Sequence, residues 1–117
     1  MGEPLNEVAF TEGFLADAKD DGMTESEIAA MVELLSTNPE AGDLIVGSGG
    51  CRKVRVAGRG KGKSGGYRVV TFYARPQMPV YVIAALSKGS RSNFDKEEVA
   101  AMAAFAKRIL GAKRRVG

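Results

Sequence analysis

The chain has no histidine and a single cysteine among its 117 residues. A Ser–His–Asp triad is therefore impossible, and a structural zinc site, which draws on several Cys and His ligands, is excluded. Only carboxylates are left as metal ligands, and most of them sit in the first half of the chain, so no metal and no cofactor is expected. Cys51 cannot form an internal disulfide, which fits a reducing compartment. It stands beside Arg52 and Lys53, but no histidine exists to act as its base, and a packed, inert thiol is expected. Long apolar runs are missing too: the longest, Val80 to Leu86, is far too short to cross a bilayer. The start, MGEPLNEV, is acidic and lacks the apolar segment of a secretory signal, and Asn6 stands where myristoylation needs Ser or Thr. The expectation is a soluble, cytoplasmic protein with no membrane partner.

Negative charge is also locally absent. From Leu44 to Phe94 there is no acidic residue, while the same stretch carries ten lysines and arginines. The first fifty residues reverse this, with eleven Asp and Glu against Lys19 alone. A net charge of +3 thus conceals about −10 over residues 1–50 and about +13 over residues 51–117. Such asymmetry points to a polyanionic partner for the basic half, RNA or DNA above all. The plainer alternative is a basic surface with no specific ligand. Any catalysis would have to use Lys, Arg, Tyr, Ser or carboxylates.

What is present reads as one domain of ordinary globular composition, 44% apolar and 26% charged, spanning residues 1–117. Leu5 to Phe10 is a weak first strand. Phe10, Phe14, Leu15 and Ala18 fall near helical spacing, which predicts a helix over Thr11 to Asp21 with Gly22 as its stop. Thr24 and Glu27 form a capping box for a second helix, whose apolar stripe is Ile28, Met31, Val32 and Leu35 and whose end is Asn38-Pro39. A Pro, Gly and Asp loop follows, through Gly47-Ser48-Gly49-Gly50. From Arg52 to Ala57 the side chains alternate: Arg52, Val54 and Val56 point one way, Lys53 and Arg55 the other. Tyr67 to Ala74 and Val80 to Ser87 are strands joined by a turn with Pro76 and Pro79, which predicts an antiparallel meander. Asp95 to Leu110 is a last helix, with Val99, Met102, Ala106 and Ile109 on one side and Gly111 ending it. The basic tail, 111–117, is expected to be mobile. The fold class is α+β: an N-terminal helix pair, a small antiparallel sheet and a C-terminal helix, with helices mainly on one sheet face and the other face free to bind.

Gly60 to Gly65 satisfies G-x-G-x-x-G, and Gly58 to Ser64 falls one residue short of a P-loop. Both mechanisms need the loop to open a helix whose amides hold phosphate, whereas Tyr67-Arg68-Val69-Val70 opens a strand. Nucleotide binding is rejected. The loop reads instead as a hairpin tip carrying Arg59, Lys61 and Lys63, whose small neighbours let a nucleic-acid backbone approach. The alternative is a long loop whose charges only keep it soluble.

The run Gly62-Lys63-Ser64-Gly65-Gly66-Tyr67-Arg68-Val69, preceded by Arg52-Lys53-Val54-Arg55-Val56, resembles the RelE/HigB-type toxins of bacterial toxin–antitoxin modules. The helix pair, the stretch Asn38 to Leu44, and Ala85-Leu86-Ser87-Lys88-Gly89 ahead of the last helix agree with it, so the likeness spans about Leu5 to Leu110. It implies a RelE-like fold and a small nuclease that cuts messenger RNA, commonly in the ribosomal decoding site. It implies as partners mRNA, the ribosome and a cognate antitoxin, often of helix-turn-helix type, with DNA bound only through that antitoxin. By position, Lys53 and Arg55 match the family's basic pair, Arg68 its arginine on the next strand, and Lys88 the basic residue after the following strand. Phe94 stands where some members carry tyrosine, and it can stack on a base but cannot move a proton.

Metal-free RNA cleavage uses the ribose 2′-hydroxyl against its own 3′-phosphate, so the protein must orient the attack, stabilise phosphoryl charge and move two protons. Arginine forks suit the phosphoryl oxygens. The catalytic candidates are thus Lys53 as base, Arg55 and Arg68 as phosphate clamps, and Lys88 as a further clamp or leaving-group acid. Arg59, Lys61, Lys63, Tyr67, Arg91 and Phe94 are the RNA-binding candidates. Each has a plainer reading. Lys53 and Arg55 also fit the wet face of an edge strand, Lys88 and Arg91 loop charges, Phe94 a hydrophobic staple, and Tyr67 a packing residue. Arg68 is the hardest to explain away, because a charge in an apolar strand is costly without an anionic partner. Two other functions stay open: a ParE-like, gyrase-inhibiting toxin without nuclease activity, and a non-catalytic RNA-binding module.

Overall fold

A computed structural model describes residues 6–56, 66–87 and 94–114. The chain begins with strand β1 (Val8–Phe10) and turns directly into α1 (Glu12–Asp21). Thr11 makes that turn: its hydroxyl accepts from the Phe14 amide at 3.1 Å, capping the helix, and lies 3.1 and 3.0 Å from the carbonyls of Val82 and Ile83. Gly22 ends α1 in the left-handed conformation, φ 74°, which only glycine adopts freely. In α2 (Glu25–Thr37) the expected capping box is complete, Thr24 and Glu27 exchanging bonds of 2.8 and 3.1 Å. The helix stops at Asn38, ahead of Pro39, as the proline requires.

The remaining strands are β2 (Asp43–Leu44), β3 (Cys51–Val56), β4 (Tyr67–Phe72) and β5 (Val80–Ser87), followed by α3 (Lys96–Arg114). The sheet order is β1-β5-β4-β3-β2. The β3–β4–β5 meander is antiparallel as expected, but β1 pairs with β5 in parallel, so the sheet is mixed. β1 covers only Val80 to Val82 of its neighbour. Beyond it the β5 edge is closed by a side chain, Asp17 accepting from the Ala85 amide at 3.0 Å. Ile83 is the extra residue where the β4–β5 register shifts between Val70 and Thr71. β2, in the stretch read as loop, is too short to show any periodicity.

The strand alternation sorts the core into two clusters. Val54, Val56, Val69, Val80 and Val82 pack with Phe14 and Ala18 of α1 and Met31 and Leu35 of α2. Cys51, Val70 and Phe72 point the other way, against Met102 and Ala106 of α3. The expectation that helices cover mainly one face is therefore corrected: α3 lies on the second face. Phe105 sets its edge against Phe72 and Tyr81, with centroids 6.4 and 5.7 Å apart. Gly49 lets the β2–β3 connection approach Ala103 and Ala106. α3 also runs through Gly111 to Arg114. A helical glycine costs only about 1 kcal/mol and does not stop a helix flanked by good helix formers. Among the described residues no helix is long and apolar enough to cross a membrane.

Candidate functional site

On the second face, α3 covers the end of the sheet that carries Cys51 and Phe72, and the cations lie toward the other end. Lys53 and Arg55 share the orientation of Cys51 because they follow it at strand period two. Arg68 shares that of Val70 and stands directly opposite Arg55 in the register. The three side chains line one cleft of about 340 Å³ with Gly42 and Asp43. Lys53 and Arg68 are half-buried and Arg55 is exposed.

Two features mark this cleft. Directly opposed residues on antiparallel strands bring their Cβ atoms to roughly 5 Å, where like charges destabilise the sheet. The Arg55–Arg68 pair is such a contact, and an anion between the two guanidinium groups would remove its cost. The second feature is Gly42, at φ 93°, packed so close to β3 that an added Cβ would run into the Lys53 carbonyl oxygen. Arg52, on the opposite side of β3 from Lys53, fastens this segment by donating from Nη1 to the Gly42 carbonyl at 3.1 Å. The strand thus uses one arginine to hold the cleft wall and leaves the next two cations to line the cleft.

Tyr67, expected in RNA contact beside Arg68, points the other way. It is only 7% exposed, on the α1–α2 face, and its hydroxyl bonds to Glu27, itself 4% exposed. Burial, chiefly, together with the Glu27 and Asp21 charges pushes the phenol's pKa up, so it stays protonated and acts as an anchor between β4 and α2. Phe94 is half-buried in the second core cluster. It lines an apolar pocket of about 330 Å³ whose walls include Val70, Leu86 and Met102. Leu86 is the register partner of Arg68, so this pocket begins one strand away from the cationic cleft. Lys88, Arg59, Lys61, Lys63 and Arg91 lie outside the described residues.

Asp43 and Gly42 were missed by sequence reasoning. Nothing in an Ala-Gly-Asp-Leu stretch marks it as a cleft wall, and only the pairing of Asp43 with Lys53 brings it there. Cys51 is fully buried, and desolvation raises its thiol to about 11 despite a hydrogen bond with Ser48, which removes it as a nucleophile near neutral pH. Among the described residues no group of three or more His, Cys, Asp or Glu could hold a metal ion.

Comparison with known proteins agrees with this fold. A structure of an arginine-to-alanine double mutant of the E. coli toxin RelE in the free state is similar in fold, with a TM-score of 0.55 and 21% identity over 90% of this chain and 98% of that one. The family model described as RelE toxin of RelE / RelB toxin-antitoxin system matches residues 7–116. With nearly its whole length so matched, the chain belongs to the RelE toxin family of toxin–antitoxin systems.

Proposed function

We propose that this toxin is an endoribonuclease that cuts messenger RNA, on the ribosome, by activating the RNA's own 2′-hydroxyl. The observation that carries the proposal is the opposed Arg55–Arg68 pair, with Lys53 beside it in one cleft. Two guanidinium forks facing each other can hold both non-bridging oxygens of one phosphate and keep their charge throughout the reaction. Losing one donor from such a clamp typically costs about 10²–10³ in rate. Lys53 is the proton-handling cation beside the clamp, and Lys88, outside the described residues, is proposed as a further clamp on the phosphate.

The substrate class follows from the same chemistry. A nucleophile supplied by the 2′-hydroxyl restricts cleavage to RNA, and DNA lacks the attacking group. Arg59, Lys61, Lys63 and Arg91 are proposed to follow the RNA backbone, and Phe94 to stack a base from its position next to the cleft. A cognate antitoxin would silence the activity by covering the cleft or by blocking access to the ribosome.

Expression of the chain in cells, with the 5′ ends of transcripts mapped, tests the proposal. In-frame cuts within coding regions that vanish in the Arg68→Ala variant are expected. Intact transcripts with damaged DNA would point instead to a gyrase-directed toxin, and intact transcripts and DNA to a binding module.

A further inference from the structure

The proposed reaction needs a group to take the 2′-hydroxyl proton, and the chain has no histidine to do so. A lysine must first shed a proton before it can accept one, and an ionised carboxylate need not. Asp43 is the one carboxylate among the described residues lining the cleft, opposite Lys53 in the β2–β3 pairing and exposed to solvent. Among the described residues, the charged groups lining the cleft with it are Lys53 and Arg55 from β3 and Arg68 from β4.

Its position is built rather than incidental. Gly42 lets the backbone pass tightly over the Lys53 carbonyl, and Arg52 fastens that glycine, which fixes where the next residue begins. For phosphate binding alone the residue is adverse, since a carboxylate beside a phosphate repels it. An anion held in a phosphate-binding cleft is better explained by a reaction step than by affinity.

We infer that Asp43 is the general base of the cleavage reaction, an inference that rests on the nuclease reading above. The 2′-hydroxyl hydrogen passes to an Asp43 carboxylate oxygen, and the 2′-oxygen's electron pair forms the new bond to phosphorus. The bond from phosphorus to the 5′-oxygen breaks, its electron pair staying on that oxygen, which takes a proton from the Lys53 ammonium. The products are a 2′,3′-cyclic phosphate and a 5′-hydroxyl, with Asp43 protonated and Lys53 neutral. Exchange of one proton each with water resets both groups. Arg55 and Arg68 stay charged, and Lys53 becomes the proton donor rather than the acceptor its sequence position suggested.

The test uses the purified full chain, its D43N and D43E variants, and a short mRNA both free and programmed on purified ribosomes. Single-turnover cleavage is followed across pH, and affinity is read with the same RNA carrying a 2′-deoxy sugar at the cleavage site. D43N should cut about 100-fold more slowly or worse, bind the deoxy RNA as tightly as the parent or more tightly, and lose the rise of rate with pH on the acid side. D43E should recover part of the rate together with that rise. D43N cutting at nearly the parent rate, keeping the acid-side rise, or losing rate only in step with affinity would overturn the inference. If the parent cuts neither form of RNA, the nuclease reading itself fails and takes the inference with it. If the parent cuts and D43N matches it, only the assignment of Asp43 falls.

Discussion

The two faces of the sheet are built from the same three strands and solve opposite problems. On the α1–α2 face every inward position of β3 and β4 from Val54 onward is buried: Val54, Val56, Tyr67, Val69 and Thr71. Even its polar groups there serve packing, as Tyr67 does through Glu27. The α3 face is apolar at one end, with Cys51, Val70 and Phe72 under the helix, and cationic at the other, with Lys53, Arg55 and Arg68. One face supplies the stability that lets the other carry an unfavourable like-charge pair. The difference teaches that strand parity, more than composition, decides which residues of a basic segment can act together.

The largest effect should come from the closed face. Phe14 is fully buried against both helices and the sheet, and Phe14→Ala should cost about 3–5 kcal/mol. The same truncation at half-buried Phe94 on the open face should cost roughly half as much. Chemical denaturation of both variants measures the contrast, and equal losses would break it.

A smaller, pH-dependent effect belongs to Cys51. The folded state holds this thiol proton more tightly than the unfolded chain, raising its pKa from 9.0 to about 11. Its contribution is therefore complete below pH 9 and lost as the pH rises toward 11, amounting to roughly 2–3 kcal/mol. Tyr67, raised from 10.0 in the same direction, adds a further loss above pH 10. Urea denaturation at successive alkaline pH values should show this decline, and Cys51→Ala should flatten its lower part.

The smallest effect sharpens the comparison most. Arg55→Gln removes the charge opposite Arg68 and should raise stability by a few tenths of a kcal/mol at low salt, with the gain fading as salt screens the parent. Destabilisation would mean the arginines support each other, contrary to a like-charge cost between them.

Much of this was legible beforehand, for physical reasons. Capping boxes are local, so Thr24 and Glu27 announced α2 without tertiary information. Alternation from Arg52 to Ala57 set the sides of Lys53 and Arg55, and Arg68 stood out as one charge in an apolar strand. Tyr67 could have been excluded by the same alternation, because neighbours in a strand face opposite ways and Arg68 follows it directly. The parallel β1–β5 pair, the docking of alanine-rich α3 and the arrival of Asp43 opposite Lys53 depend on contacts distant in sequence. No local pattern encodes them.

The central claim is that Arg55 and Arg68 grip one phosphate, and a double-mutant cycle on single-turnover RNA cleavage tests it most directly. Each of Arg55→Ala and Arg68→Ala should slow cleavage by about 10²–10³-fold, and the double variant should be little slower than either, since both act on the same group. Losses that multiply, or single variants that cut as fast as the parent, would contradict the account.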